Sequence, residues 1–315
     1  MSQMTFAEAD YAHKKRKTRR EMFLERTETL IPWQKIERKL ARHYPKGGIG
    51  RPPYPLATML RVHCMQLFYN LADPAMEDAL YEVESMRRFA HLHLDRIPDE
   101  TTILNFRHFL ERHGLGRVIF NTIAQHLDAH GLMLREGSII DASLIAAPPS
   151  TKNAQGERDP DMHSVKKGNE WYFGMKIHIG VDDALGLIHS VETTSAEVHD
   201  LNMADTLLHG DEKRVWGDTG YTGIEKRQEH SERDADFLIA RHRGKVRQLA
   251  DSDPQKQAEQ CKASVRAKVE HPFLWIKHIF GYRKVRYRGL AKNTNRLLVL
   301  AGLTNLMLAR KYLAV

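Results

Sequence analysis

Asp141 is the first residue of this chain whose setting points to chemistry. It lies in the middle of the apolar run 137–148, which is short, partly β-branched and bracketed by Gly137 and Pro148. Such a run is typical of a buried strand. A carboxylate on a buried strand is costly unless its charge is compensated, and a bound cation is one such compensation. An aspartate that only makes hydrogen bonds at a strand end is equally consistent with the pattern.

Two further acidic residues have comparable settings. Asp218 ends a short apolar run and is followed by Gly220 and Gly223, so it is predicted at the tip of a strand where the backbone turns sharply. Glu270 lies in the stretch 264–277, which has helical spacing. The three acidic residues are therefore predicted on two strands and a helix.

The helix predicted around Glu270 also carries basic residues. Arg266, Glu270 and Lys277 are spaced so that they share one helix face. The two cations could therefore orient or neutralise the glutamate. Pro272 removes a backbone donor and disfavours helical geometry at the residue before it. We expect a kink after Glu270, and the alternative is a new helix that begins there.

Composition limits the class of protein. The 315 residues allow one large domain or two of ordinary size. The chain has 48 Lys and Arg against 40 Asp and Glu, a net charge of +8, which favours a polyanionic partner. Cys64 and Cys261 are far apart and form no Cys-x-x-Cys motif, which fits a reducing cytoplasm. Neither a membrane span nor a signal peptide is indicated, so we expect a soluble protein with no membrane partner.

The N-terminal part, residues 1–130, is predicted to be helical and to bind DNA. Residues 13–20 are the densest charge run, and a basic arm near a terminus commonly contacts phosphates without reading bases. A solvated helix face is equally consistent. Helices are predicted over 56–70 and 98–111 with a third between them, which suits a helix-turn-helix-like bundle over 56–111. Three-helix packing without any ligand is the alternative for this region.

The second part, residues 131–315, is predicted to hold a mixed sheet. Residues 171–181 alternate around Lys176 and His178 and pair with 187–191 as a hairpin. The other predicted elements are a polar loop at 148–170, a helix capped by Asp200 that runs through Leu208, the strand that ends at Asp218, a strand at 236–240 and a basic loop at about 241–262.

Five short motifs carry a resemblance to a known family. They are PDETTI at 98–103, WYFGMKIH at 171–178, GDTGY at 217–221, KVEHPF at 268–273 and GYRKVRYRGL at 281–290. These motifs resemble bacterial insertion-sequence transposases of the Asp-Asp-Glu class, in the branch typified by insertion sequence five, and the resemblance runs from about Tyr44 to the C-terminus. The predicted order of elements also matches the ribonuclease H-like fold. The expected architecture is α/β, with a ribonuclease H-like mixed-sheet catalytic domain preceded by an all-α domain.

The resemblance also implies roles for individual residues. Asp141, Asp218 and Glu270 would be the metal-binding catalytic triad, and Arg266 and Lys277 would be the family's basic residues around the glutamate. The chain departs from the family pattern three residues before that arginine, where it has alanine instead of a common tyrosine. Further supporting or DNA-binding residues are expected in the matched motifs and the basic arm: Lys176, His178, Tyr221, Lys14, Lys15, Arg16 and Lys17.

The implied chemistry is phosphoryl transfer on DNA. Two Mg²⁺ ions about 3.5 to 4 Å apart, which Mn²⁺ can replace, would activate a water or a DNA 3′-hydroxyl and stabilise the leaving oxygen. The expected reactions are strand cleavage at the ends of an insertion sequence and transfer of the 3′-hydroxyl ends into target DNA. The partners would be double-stranded DNA, both terminal inverted repeats and target, and a second copy of the chain in a synaptic dimer. The location would be the bacterial cytoplasm, in association with the nucleoid.

Two other functions fit parts of this pattern. A related metal-dependent nuclease or resolvase would cleave strands without joining them. A regulatory DNA-binding protein of the same fold would bind DNA without chemistry. Three acidic residues amid a basic surface argue against the second, since a binding protein has no need of them.

The basic arm generates a first prediction. Changing the four consecutive cations at 14–17 to glutamine should weaken DNA binding and flatten its salt dependence, because each lost phosphate contact lowers the slope by about 0.9. The dissociation constant measured by fluorescence anisotropy at several salt concentrations tests this. An unchanged slope would mean that the arm contacts no phosphate.

Overall fold

Seven helices precede the first strand in the part of the chain that the structure describes. The structure is a computed structural model that describes residues 11, 13–47, 52–154 and 156–313. The helices are α1 Arg19–Leu30, α2 Trp33–Leu40, α3 Leu56–Tyr69, α4 Asp73–Glu82, α5 Glu84–Ala90, α6 Glu100–Arg112 and α7 Leu115–Asp128. The predicted helical character of residues 1–130 therefore holds wherever this region is described.

Local capping explains where two of these helices begin. The Thr18 hydroxyl accepts a hydrogen bond from the Glu21 amide at 3.2 Å, and the Glu21 carboxylate accepts one from the Thr18 amide at 3.3 Å, which is a capping box for α1. The Asp99 carboxylate accepts from the Thr102 amide at 2.6 Å and caps α6. The helix that the sequence predicted over 98–111 is thus present.

The region 56–111 contains four helices, so the expected three-helix bundle is wrong in number. Val83 adopts an extended backbone conformation that ends α4 and begins α5. The buried Arg87 secures this break, because its guanidinium donates to the carbonyls of Leu80 and Tyr81 at the end of α4. A break made by an extended valine has no glycine or proline to signal it.

A mixed six-stranded sheet follows the helices. Its strands are β1 Gly137–Ala146, β2 His163–Lys167, β3 Glu170–Asp182, β4 Ile188–Ser195, β5 Arg214–Gly217 and β6 Asp236–Ile239. β1 is central: it pairs antiparallel with β3 and parallel with β5, and β5 pairs parallel with β6. β3 also pairs antiparallel with both β2 and β4. The predicted hairpin, the Asp218 strand and the strand near 236–240 are all present.

Two segments that were predicted as loops contain regular structure. Residues 163–167 of the polar segment 148–170 form β2, which pairs with the first residues of β3 across a turn at Gly168. β2 is largely exposed and polar, so it lacks the alternation that signals a strand. The predicted basic loop near 241–262 contains two helices, α9 Arg243–Arg247 and α10 Pro254–Arg266. Asp253 caps α10 through the Gln255 amide at 2.8 Å.

One hydrophobic core joins the helices to the sheet. Its centre is α12, Leu290–Ala309, which is buried along most of its length and packs on α7 and β4. Asn305 on α12 exchanges two hydrogen bonds with the backbone of Ile188, at 2.8 and 2.7 Å. α12 buries polar and apolar residues alike, so burial does not follow a hydrophobic period, and the sequence did not predict this helix. Among the described residues, no helix combines the length and the apolar character that crossing a bilayer requires.

The α7–α12 contact generates a stability prediction. A Cβ atom at Gly116 would lie 2.5 Å from the Asn295 carbonyl oxygen and 2.6 Å from its side-chain oxygen. Gly116→Ala should therefore lower the free energy of unfolding by about 1 to 3 kcal/mol. Urea denaturation measures this, with Gly47→Ala as the control because nothing lies within 4 Å of a Cβ there. Equal stability of both variants would contradict the close packing.

Candidate active site

Asp141 lies in the middle of β1, in register with Ile179 of β3. Its side chain is half-buried, and its Oδ1 accepts a hydrogen bond from the Ala142 amide at 2.7 Å. Burial raises the pKa of Asp141 to about 7, the Ala142 hydrogen bond opposes the rise, the Asp218 charge adds to it, and the Arg266 charge opposes it. The negative charge of this carboxylate is thus poorly compensated by the protein alone.

Asp218 follows β5 directly, and its position relative to Asp141 is set by strand pairing. β5 runs parallel to β1, so both strands point their C-terminal ends toward the same edge of the sheet. The Asp218 Oδ1 accepts from the Gly220 amide at 2.8 Å and caps the 3₁₀ turn Thr219–Tyr221. The sequence placed Asp218 at the tip of a strand before a sharp turn, and the structure agrees.

Asp200 is a third carboxylate at this site, and the sequence did not identify it as a site residue. It begins the 3₁₀ turn Asp200–Met203 after β4, and α8, Ala204–Leu207, follows. It was predicted to cap this helix, but His199 is the cap, since its ring accepts from the Leu201 amide at 3.3 Å. The Asp200 charge contributes to the raised pKa of Asp141. Nothing in the local sequence distinguishes Asp200 from an ordinary residue at the start of a helix.

Tyr221 is fully buried beside these carboxylates. Its hydroxyl has no hydrogen-bond partner among the described residues. Burial raises its pKa above the usual range, and the charges of Asp141, Asp200 and Asp218 raise it further. The hydroxyl therefore lies within the field of all three carboxylates.

Lys176 and His178 support Asp200 from the sheet. Lys176 Nζ donates to Asp200 Oδ1 at 2.8 Å and to the Val198 carbonyl at 2.7 Å. His178 is fully buried, with Nε2 2.8 Å from Thr194 Oγ1 and Nδ1 4.0 Å from Asp200 Oδ1. Burial lowers the pKa of His178 to about 4, so the ring is neutral at pH 7. A supporting role fits both residues, whereas the buried His178 has no surface to offer DNA.

Glu270 lies apart from the three aspartates. It is exposed at the start of α11, Glu270–Leu274, and lines a groove of about 510 Å³ together with Ser143 and Lys277. Lys277 Nζ donates to Ser143 Oγ at 3.0 Å. Ser143 is two residues from Asp141 on β1, so both side chains point to the same face of the sheet, about 7 Å apart. The groove of Glu270 therefore adjoins the aspartates.

The structure thus assembles the expected triad only in part. Asp141 and Asp218 lie together with Asp200, and Glu270 is in the adjoining groove. No three His, Cys, Asp or Glu side chains within the described residues are close enough to enclose a metal ion in this conformation. The aspartates nevertheless fit a divalent cation, because hard oxygen ligands suit Mg²⁺ and the cation would compensate the half-buried charge of Asp141.

The helical segment around Glu270 is irregular on both sides of Pro272. A 3₁₀ turn, Ala267–Val269, precedes Glu270, and a π-helical turn, Trp275–Ile279, follows α11. A new α-helical segment therefore begins at Glu270, which is the alternative to the kink that we expected after it. The Arg266 charge lowers the pKa of Asp141, so this arginine faces the first aspartate.

The basic arm is attached to α1. Lys14 makes an ion pair with Glu21, and Lys17 lies 2.7 Å from Glu25. Lys15 and Arg16 are exposed. The Lys17–Glu25 pair is exposed and contributes little free energy, so Lys17 can exchange this partner for a phosphate, whereas the Lys14–Glu21 pair is partly buried.

Two protein-family models match the chain. Residues 132–306, more than half of the chain, match the family model described as a transposase DDE domain. Residues 11–109 match a second model, described as a transposase domain (DUF772). The protein is a transposase, and it belongs to the DDE transposase domain family. No solved structure matches the chain. The family implies that the partner is DNA and that a divalent metal ion is used.

The raised pKa of Asp141 generates a prediction about pH. Its folded pKa of about 7 lies above the unfolded value of about 3.9. The carboxylate therefore costs no stability below about pH 4, costs more as pH rises, and reaches its full cost above about pH 7. In EDTA, Asp141→Asn should raise the free energy of unfolding at pH 8 by about 1 to 3 kcal/mol and change it little at pH 4.

Denaturant titrations at the two pH values measure this difference. Asp211→Asn is the matched control, because the Asp211 side chain is 70% exposed and should show no such dependence. A gain in stability of the same size at pH 4 and pH 8 would contradict the raised pKa.

Proposed function

We propose that this transposase cleaves DNA strands at the ends of an insertion sequence and transfers the freed 3′-hydroxyls into target DNA, in the manner of the insertion sequence five branch. The observation that carries the proposal is the convergence of Asp141 and Asp218 at the same edge of a parallel strand pair. Their like charges in a half-buried site favour a divalent cation. Mg²⁺ is the proposed ion, and Mn²⁺ would substitute for it.

The sheet supports a ribonuclease H-like assignment for this catalytic region. Three antiparallel strands, β1, β3 and β4, are followed along the chain by two strands, β5 and β6, that extend the sheet in parallel from β1. Asp141 lies in the middle of β1 and Asp218 just after β5, and each is two residues beyond the registered pair Ile139 and Trp216. The DNA backbone would approach the two carboxylates there.

Individual residues of the site would have the following roles. Asp141 and Asp218 would hold the cation, Glu270 would complete the ligand set from the adjoining groove, and Arg266 would offset part of the carboxylate charge. Bound divalent cations would activate the attacking oxygen and stabilise the leaving oxygen. In cleavage, water forms a bond to phosphorus and the DNA 3′-oxygen leaves. In joining, the 3′-hydroxyl forms that bond and a 3′-oxygen of the target strand leaves.

Basic and aromatic residues beside the Glu270 groove support a path for DNA. Burial lowers the pKa of Lys277, and the charges of Lys167 and Arg283 lower it further. A phosphate would relieve this crowding of cations. Trp171 is 70% exposed near the turn of the β2–β3 hairpin, in register with Lys166. An exposed aromatic beside lysines suits contact with nucleic acid.

The reaction acts on two ends, so the proposed active assembly contains at least two copies of the chain. The helices of residues 13–130 would position the end sequences, and the sheet would carry the chemistry. The related functions differ in outcome: a nuclease or resolvase would cut without joining, and a regulatory protein would bind without cutting.

Two variants test the proposed site. Asp141→Asn and Glu270→Gln should each reduce both cleavage and joining by about a hundredfold or more, because one set of cations serves both steps. Gel shifts should show that binding to end-containing DNA is retained. Replacing Mg²⁺ with Ca²⁺ should likewise leave DNA bound but nearly uncut, since the larger ion misplaces the reacting oxygens.

Glu232→Gln is the control for Glu270→Gln, since Glu232 is also an exposed glutamate. Glu259 is unsuitable as a control, because it is buried, accepts from the Arg241 amide at 2.9 Å and pairs with Lys262 at 2.9 Å. Normal cleavage by Glu270→Gln in Mg²⁺ would remove Glu270 from the site. Cleavage without joining by the wild-type chain would favour the nuclease or resolvase.

A further inference from the structure

The two carboxylate oxygens of Asp200 have different surroundings. Oδ1 accepts from Lys176 Nζ at 2.8 Å and lies 4.0 Å from His178 Nδ1. No hydrogen bond from a described residue reaches Oδ2. A Cβ atom at Gly220 would lie 3.9 Å from this Oδ2 and 2.9 Å from Asp218 Oδ1. Asp200 is therefore held through one oxygen and presents the other toward Asp218.

The negative charges at this point exceed the positive ones. Lys176 pairs with Asp200 through Oδ1, and no described lysine or arginine makes an ion pair with Asp141 or Asp218. These two aspartates lie side by side, because each is two residues beyond the registered pair Ile139 and Trp216 of β1 and β5. Like charges this close repel one another, and a shared cation is the arrangement that compensates all three.

The Tyr221 hydroxyl is a second, independent observation at the same place. It is fully buried and unpartnered within the described residues, and the charges of all three aspartates act on it. An unpaired buried donor is costly. A donor in this position suits a hydrogen bond to an oxygen in the coordination shell of a cation.

We propose that Asp200 is a further metal ligand: the divalent cation proposed at Asp141 and Asp218 would draw the Asp200 Oδ2 closer than it lies in this conformation and bind it, and the Tyr221 hydroxyl would donate to an oxygen ligand of that cation. Lys176 and His178 would be positioning residues that orient Asp200. This inference rests on the proposed metal-dependent function. It supplies one carboxylate from β1 and two from the turns that follow β4 and β5, and it leaves Glu270 for a second cation in the adjoining groove.

Direct Mn²⁺ binding to the full chain tests the inference without DNA cleavage. The loss of the free Mn²⁺ signal in electron paramagnetic resonance gives the affinity at pH 8. Asp200→Asn should weaken binding by about tenfold or more, as should Asp141→Asn. The Asn side chain keeps an oxygen acceptor for Lys176, so the fold should persist. Asp205→Asn is the matched control, because Asp205 lies on the next helix and pairs instead with Arg233 at 2.7 Å.

The Tyr221→Phe variant distinguishes the proposed hydrogen bond to an oxygen ligand of the cation from a purely structural role of the hydroxyl. Without cation, this variant should keep or raise the thermal midpoint, since it removes an unpaired buried hydroxyl. With Mn²⁺, it should bind more weakly than wild type. A lowered midpoint together with unchanged Mn²⁺ affinity would overturn the role given to Tyr221.

The outcomes distinguish the two proposals. Wild-type Mn²⁺ affinity in Asp200→Asn, with loss in Asp141→Asn, would overturn the role of Asp200 and leave the proposed function standing. Unchanged affinity in both variants would overturn the metal site itself. If Asp200→Asn does not fold, Asp200→Ser replaces it: it also removes the carboxylate and should weaken Mn²⁺ binding, and unchanged binding would again remove Asp200.

Discussion

Electrostatic repulsion among Asp141, Asp200 and Asp218 is the constraint on which the site depends. Three separate features of the fold hold these three carboxylates near one another. The hydrogen bonds between β1 and β5 place Asp141 beside the end of the strand that leads to Asp218. The Gly220 amide fixes Asp218, and Lys176 fixes Asp200. The free-energy cost of this repulsion is therefore offset by the stability of the sheet, and a cation bound as proposed would relieve it.

That stability comes from a core shared between the helices and the sheet. α12 packs on α7 on one side and on β4 on the other, so the last helix of the chain joins the N-terminal helices to the catalytic sheet. The family models divide the chain into two segments, 11–109 and 132–306. Packing unites them, since residues from both belong to one hydrophobic cluster.

Local sequence was sufficient for elements whose signals are local. The apolar spacing of 98–111 predicted α6, and the alternation of 171–181 predicted the hairpin strand. The apolar run around Asp141 predicted β1. β2 was not predicted because it is polar on both faces. α12 was not predicted, and its buried positions include polar residues such as Asn293 and Asn305 as well as apolar ones. The break between α4 and α5 at Val83 was not predicted, because no glycine or proline marks it in the sequence.

The sequence by itself determined which strands carry Asp141 and Asp218, and its motifs determined the transposase class, because both are written in short contiguous stretches. Only the tertiary structure decided that Asp200 joins these aspartates, that His178 is buried and that Glu270 lies in a separate groove. Each of these depends on contacts between residues that are distant in the chain. Asp200 reaches the site because Lys176 of β3 holds it and because β5 ends beside it. No periodicity in the sequence around Asp200 predicts either of these contacts.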